Sequence, residues 1–329
     1  MKAQLKAEQS HLSDADYAEV LRTLSEGSVH THFDAFTDID WNHPDWYIDP
    51  KDPRWVLPTA DPLGGHPWYQ NLPVERQAEV GLIRMANIAK VGMQFENVLI
   101  RGAMDYLFSL PNGKAEFRYL THECTEETHH TQMFQEFVNR SGCDVPGGRP
   151  SFRVLSRFLP LAGSLWPEVF FTGVLAGEEP IDHLQKAVLR EGGPQHPMLR
   201  RIMQIHIAEE ARHISFAHEF LKRRTPQLSR TRRALLSIVF PVVMRVLGDV
   251  ITIPGKEVAR QMGVPHKVLR EVFWKSPSGE KMLRDVFADV RMLAQDAGLM
   301  NPVSRRVWKA LRIDGRPSRH RGEPASLAA

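Results

Sequence analysis

Two halves of this chain repeat one arrangement of side chains that can hold metal. Glu96 is followed 31 positions later by Glu127-x-x-His130, and Glu179 is followed 31 positions later by Glu210-x-x-His213. Positions i and i+3 of a helix share a face, so each Glu-x-x-His pair can grip one ion. Each lone glutamate can then reach in from a neighbouring helix. Carboxylates are hard, anionic and able to bridge, which neutralises two cations held close together. Imidazole favours iron over magnesium or calcium, and zinc is content with fewer ligands in a closed tetrahedron. The pattern points to two iron ions that cycle between Fe2+ and Fe3+ with open positions for dioxygen.

Neighbouring residues offer rival registers. Glu126-x-x-His129 competes with Glu127-x-x-His130, and Glu178 competes with Glu179. The shared 31-residue offset selects Glu127, His130 and Glu179. His206 lies one turn before Glu210; on spacing alone it reads equally well as a seventh ligand or as a core histidine. Pro180 follows Glu179 inside a helical pattern, removes a backbone hydrogen bond and is expected to kink or bulge the helix there. Cys124, one turn before Glu127, reads as a small buried residue rather than a ligand.

The elements that must position these side chains are helices. Pro73 and Pro111 bracket a helical pattern from Val74 to Leu110 that carries Glu96. Lys114 to Arg140 carries Glu127 and His130 and is closed by Ser141-Gly142. A long connection rich in Gly and Pro leads to a third helix, about Trp166 to Arg190, with Glu179. A fourth, about Pro197 to Arg224, carries His206, Glu210 and His213. A short link, a long crossover and a second short link are the topology of a ferritin-like bundle, whose di-iron members draw one Glu from each of two helices and Glu-x-x-His from each of the other two. The expected fold is all-α: a ferritin-like four-helix bundle with additional N- and C-terminal helices. It forms a single domain over residues 1–312 with its bundle core at about 74–224, and residues 313–329 read as a disordered tail. Residues 29–73 are dense in Pro, Asp, His and Trp and read as an extended segment that wraps the core and anchors with aromatics. His30, His32, Asp34, Asp38, Asp40 and His43 in that segment are read as turn chemistry rather than as a second metal site.

Composition narrows the function classes. The chain has 329 residues, 42% apolar and 25% charged, ordinary for a globular protein with a large core. A net charge of +3 is too small to argue for nucleic acid. Two cysteines, Cys124 and Cys143, do not make a disulfide framework. The N-terminus lacks the apolar run of a signal peptide, so a cytoplasmic location is expected. The most apolar stretch, Ala234 to Ile253, carries Pro241, Arg245 and Asp249 and reads as a buried or interfacial helix rather than a membrane span. No nicotinamide, flavin or nucleotide fingerprint occurs in a matching context.

The chain resembles the AurF-type family of di-iron N-oxygenases, which includes p-aminobenzoate N-oxygenase. That family is marked by a Glu, a gap near thirty residues and [DE]-E-x-x-H, given twice. The corresponding cores here are Glu126-Glu127-Thr128-His129-His130 and Glu209-Glu210-Ala211-Arg212-His213. His206 fills the place of the family's third histidine, so the resemblance implies a seven-residue ligand set: Glu96, Glu127, His130, Glu179, His206, Glu210 and His213. The resemblance is strong over residues 75–220 and weak in the flanks. It implies a mono-oxygenase that activates dioxygen and converts a primary aromatic amine to its hydroxylamine or nitro product, with electrons from a separate reductase or small reductant. The partners are then a small aryl amine and dioxygen, not nucleic acid, and a homodimer is compatible with the reading. A di-iron hydroxylase or desaturase acting on C–H bonds of a lipid or aromatic is the alternative within enzymes, and a ferritin-like iron-handling protein without organic substrate is the alternative outside them. A carboxylated substrate would want an arginine at its pocket, for which Arg84, Arg101, Arg284 and Arg291 are candidates.

Overall fold

The computed structural model describes residues 13–323. Among these, every regular element is helical. Helix α1 (Asp14–His30) opens on a Ser13 cap whose hydroxyl accepts from the Asp16 amide. Residues 31–73 then run over the bundle through short turns and the single-turn helix α2 (Pro67–Gln70). The four long helices follow close to where proline and glycine punctuation puts them: α3 (Val74–Phe108), α4 (Ala115–Ser141), α7 (Pro167–Glu191) and α8 (Pro197–Arg224). Gly142 ends α4 and Gly192 ends α7, each in the left-handed region (φ 66° and 70°) where a β-carbon is costly. Pro167 and Pro197 sit in the first turns of α7 and α8, where a missing N–H costs nothing.

The crossover between α4 and α7 contains the short helices α5 (Pro150–Leu155) and α6 (Ala162–Leu165). Beyond the bundle, α9 (Arg230–Thr252) packs along α7, followed by α10 (Lys256–Gln261), α11 (His266–Trp274), α12 (Pro277–Asp285), α13 (Ala288–Asp296) and α14 (Pro302–Ala310). Among the described residues, α9 lies in the one stretch long and apolar enough to cross a membrane, and 44% of its most apolar 18-residue window is buried. Its inner face joins the core through Leu236, Phe240 and Met244, while Leu235, Ile238, Val242 and Val246 are exposed. α7 continues as helix through Pro180.

Two apolar clusters fill the bundle. One gathers Leu99, Leu120, Phe171, Phe216 and Phe220. The other gathers Ala86, Met133, Phe137, Ile202 and Ile205 with Trp41 and Trp55 from the wrapping segment. Glu96, His130, His206 and Glu210 lie between them in sequence on three of the helices. The wrap is pressed hard onto α3: a β-carbon on Gly81 would stand 1.9 Å from the Trp55 carbonyl oxygen. Trp55 also stacks on His196, ring centroids 4.2 Å apart. The polar residues of the wrap serve turns, as expected: Asp34 accepts from the Phe36 and Thr37 amides, and His43 accepts from the Asp45 amide. The chain end departs from the expected disorder as far as residue 323. Ile313 is buried, Arg291 donates to the Ile313 and Arg316 carbonyls, and the Ser318 amide donates to Ala288. The rest of that tail, 324–329, and the start of the expected N-terminal helix, 1–12, lie outside the described residues.

Candidate metal centre

The doubled motif converges. Glu96 on α3, Glu127 and His130 on α4, and His206, Glu210 and His213 on α8 are all buried. They form two overlapping groups whose ligand atoms lie within 4.8 Å of one another: Glu96, His130, His206 and Glu210, and Glu127, His130, Glu210 and His213. His130 Nδ1 lies 3.0 Å from Glu127 Oε2 and 3.3 Å from Glu210 Oε1. His213 Nδ1 lies 2.8 Å from Glu127 Oε1 and 3.5 Å from Glu210 Oε1. His206 Nε2 lies 3.3 Å from Glu210 Oε1 and 3.6 Å from Glu96 Oε1.

The lone carboxylate of α7 is placed differently from the 31-residue rule. Glu179 turns away, and its Oε1 takes a 2.5 Å hydrogen bond from His218 Nε2, a buried pair outside both groups. Glu178 faces inward instead. It lines the cavity beside the cluster, and burial together with Glu210 and Glu127 pushes its carboxyl well above the usual range. Glu178, Asp182 and Gln185 follow each other at i, i+4 and i+7, a sequence signal for this face that the offset rule overrode. Equal spacing across an interhelical turn does not set the rotational phase of a helix; the packed face does.

The first acidic residue of each motif, read from sequence only as a rival ligand or motif filler, has a distinct place. Glu126 Oε2 accepts from His213 Nε2 at 2.7 Å, and Glu209 Oε2 accepts from His130 Nε2 at 2.8 Å. Each motif thus holds the imidazole of the other and leaves Nδ1 pointing at the cluster. Arg212 ties the two clamps together, 2.8 Å from Glu126 and 3.8 Å from Glu209. Gln185 does the same for the third histidine: its Oε1 accepts from His206 Nδ1 at 3.0 Å, which leaves the Nε2 lone pair facing Glu96 and Glu210. Burial lowers His206 to about 4, so this ring is neutral near pH 7.

The donor set fits two divalent or trivalent cations. Both oxygens of Glu210, Oε1 of Glu127, Nδ1 of His213 and both oxygens of Glu178 and Glu123 are buried without a hydrogen-bond partner. Burial and the neighbouring Glu127 and Glu210 carboxylates push Glu96 well above its ordinary value, and burial pushes Glu123 up to about 8. Burial also pushes Glu127 up, but His213 and His130 outweigh it and hold this carboxyl well below the usual range. Ionised together, these buried carboxylates need compensating cations.

A cavity of about 380 Å³ opens on Glu96, Glu178 and His206. Its walls are aliphatic and aromatic, among them Phe95, Leu99, Phe134, Phe152, Phe170 and Ile181. Of the arginines expected as substrate anchors, only Arg84 lines it, and its guanidinium is bound to Asp61 at 2.6 Å. Arg101 holds the Ser156 carbonyl, Arg284 lies at a separate polar cleft, and Arg291 holds the chain end.

A helical bundle with short, long and short connections and a buried Glu/His cluster at its centre defines a ferritin-like protein whose centre fits metal binding. The family model of P-aminobenzoate N-oxygenase AurF matches residues 14–298, and the chain belongs to that family, a ferritin-like di-iron fold. It is 55% identical over 311 residues to proteins of Mycobacterium bovis and Mycobacterium tuberculosis, a match that covers 94% of this chain and 92% of theirs. The names of those relatives assign no activity. No solved structure matches the chain.

Proposed function

We propose that this protein is a di-iron mono-oxygenase that transfers one oxygen atom of O2 to the nitrogen of a primary aromatic amine. The observation that carries the reading is the pair of overlapping, fully buried Glu/His groups at the end of an apolar cavity. Its ligands are Glu96, Glu127, His130, His206, Glu210 and His213, with Glu178 rather than Glu179 as the α7 carboxylate. Two iron ions held by these residues would relay electrons to dioxygen and leave positions open for it. The chain's own groups prepare that centre. Glu126, Glu209 and Gln185 fix the tautomer and ring orientation of His213, His130 and His206. The apolar walls exclude water and bring the substrate nitrogen towards Glu96 and His206. The overall conversion is ArNH2 + O2 + 2e− + 2H+ to ArNHOH + H2O. The chain shows no flavin or nicotinamide fingerprint, so a separate reductase or small reductant delivers the electrons. Two free cysteines support a cytoplasmic location.

A cavity of this size sets the reading apart from iron storage, which needs no organic-sized pocket. Its apolar walls also suit C–H oxidation of a lipid, the second reading. The test is reduced, iron-loaded protein exposed to O2 with a panel of anilines and acyl substrates, read by mass spectrometry. N-hydroxylated or nitro products support the proposal. Hydroxylated or desaturated acyl products without N-oxygenation across the amine panel would replace it with the second reading.

A further inference from the structure

We infer that the substrate is an uncharged, elongated and largely apolar molecule, and that this cavity discriminates against a carboxylate on it. The inference rests on the cavity being the substrate site of the proposed oxygenase. Its first support is charge. Among the residues that line the cavity, the permanent cations are Arg54 and Arg84. Arg84 is bound to Asp61 at 2.6 Å, and the two side chains are only 4% and 7% exposed. Asp61 is itself held in place, its other oxygen accepting from the Leu63 and Gly64 amides. Arg54 is bound to Asp52 at 2.6 Å. Each guanidinium therefore arrives already neutralised, and a substrate carboxylate would have to shed its water with no free cation to receive it.

The second support is shape. On α3 the lining runs from Arg84 to Leu99, and on α7 from Val169 to Val188. At 1.5 Å of rise per residue the α3 stretch alone spans about 22 Å, well beyond a single aromatic ring. The third is the entrance. Leu159, Val242 and Val246 line the cavity and are also 37%, 38% and 53% exposed, so its outer rim is apolar as well. An apolar rim, apolar walls and pre-neutralised arginines recognise a hydrocarbon-rich body that carries its reacting group at one end.

The test separates binding from turnover. Titration calorimetry reads the affinity of iron-loaded protein for anilines with para alkyl chains of increasing length, and for p-aminobenzoate against its neutral ethyl ester. Affinity should rise about fourfold per buried methylene until the cavity is full, and the ester should bind at least about a hundredfold more tightly than the acid, well beyond the roughly sixteenfold that its two extra carbons supply. Asp61→Asn, which frees Arg84, should narrow the gap between ester and acid; if that variant does not fold, the wild-type series decides alone. Equal or tighter binding of the acid, or affinity that does not change with chain length, overturns the inference and leaves the oxygenase reading intact. A rising series without any N-oxygenation keeps the inference and removes the amine-oxygenation reading.

Discussion

Replacing Glu178 and Glu179 one at a time by glutamine tests which carboxylate belongs to the metal centre, and the two variants should differ in opposite directions. Glu178 has two buried oxygens without a hydrogen-bond partner, and its carboxyl is pushed well above the usual range by burial and by Glu210 and Glu127. In metal-free protein an isosteric amide there should cost nothing or raise the melting temperature, because a poorly accommodated acid is removed. In iron-loaded protein the same change removes an anionic ligand. Residues that only support ligands are worth 10–100-fold in metal affinity. A ligand itself should be worth about 100-fold or more, which is about 2.7 kcal/mol of iron-linked stabilisation. Glu179→Gln should behave the other way. It weakens the 2.5 Å bond to buried His218 and should cost about 1–3 kcal/mol with or without iron, while iron content stays at two per chain. Metal analysis and thermal unfolding with and without iron read both effects. Loss of iron in Glu179→Gln, with two ions retained in Glu178→Gln, would refute the assignment and restore the offset rule.

Other outcomes follow from the same geometry. Glu126→Gln and Glu209→Gln should each keep the fold and lower iron affinity by about 10–100-fold, measured by competition with a chelator; wild-type affinity in both would show that the cross-clamps do not orient His213 and His130. Glu123, pushed up to about 8 by burial, is an acid whose folded pKa exceeds its unfolded value, so its contribution is present below about 4.5 and is lost as pH rises through about 8. Metal-free protein should lose thermal stability across that window, and Glu123→Gln should flatten the fall. Gly81→Ala places a β-carbon 1.9 Å from the Trp55 carbonyl oxygen and should cost about 1–3 kcal/mol. Gly173→Ala meets only Leu247 at 3.7 Å and should be neutral or stabilising by a few tenths of a kcal/mol to about 1 kcal/mol; similar losses in both would show that the wrap is not seated on α3 as described.

The four long helices were legible in the residues themselves, because their limits are local chemistry. Proline at 73, 167 and 197 and glycine at 142 and 192 act through the backbone of the residues beside them. Periodic apolar faces do the rest without knowledge of any distant partner. The same locality makes Glu127-x-x-His130 and Glu210-x-x-His213 readable, since one turn of helix puts both members of each pair on one face. What runs between helices was not readable in this way. Whether Glu178 or Glu179 points inward depends on how α7 rotates against its neighbours, and a count of residues through the 192–196 link carries no information about that angle. The clamps Glu126 to His213 and Glu209 to His130 join residues 87 and 79 positions apart, and they exist only once α4 and α8 lie side by side. Arg84 looked like a candidate anchor until the wrapping segment delivered Asp61 to it. In each case the side chain's identity is local, while its charge balance and direction are set by packing, which is where the tertiary structure alone decides.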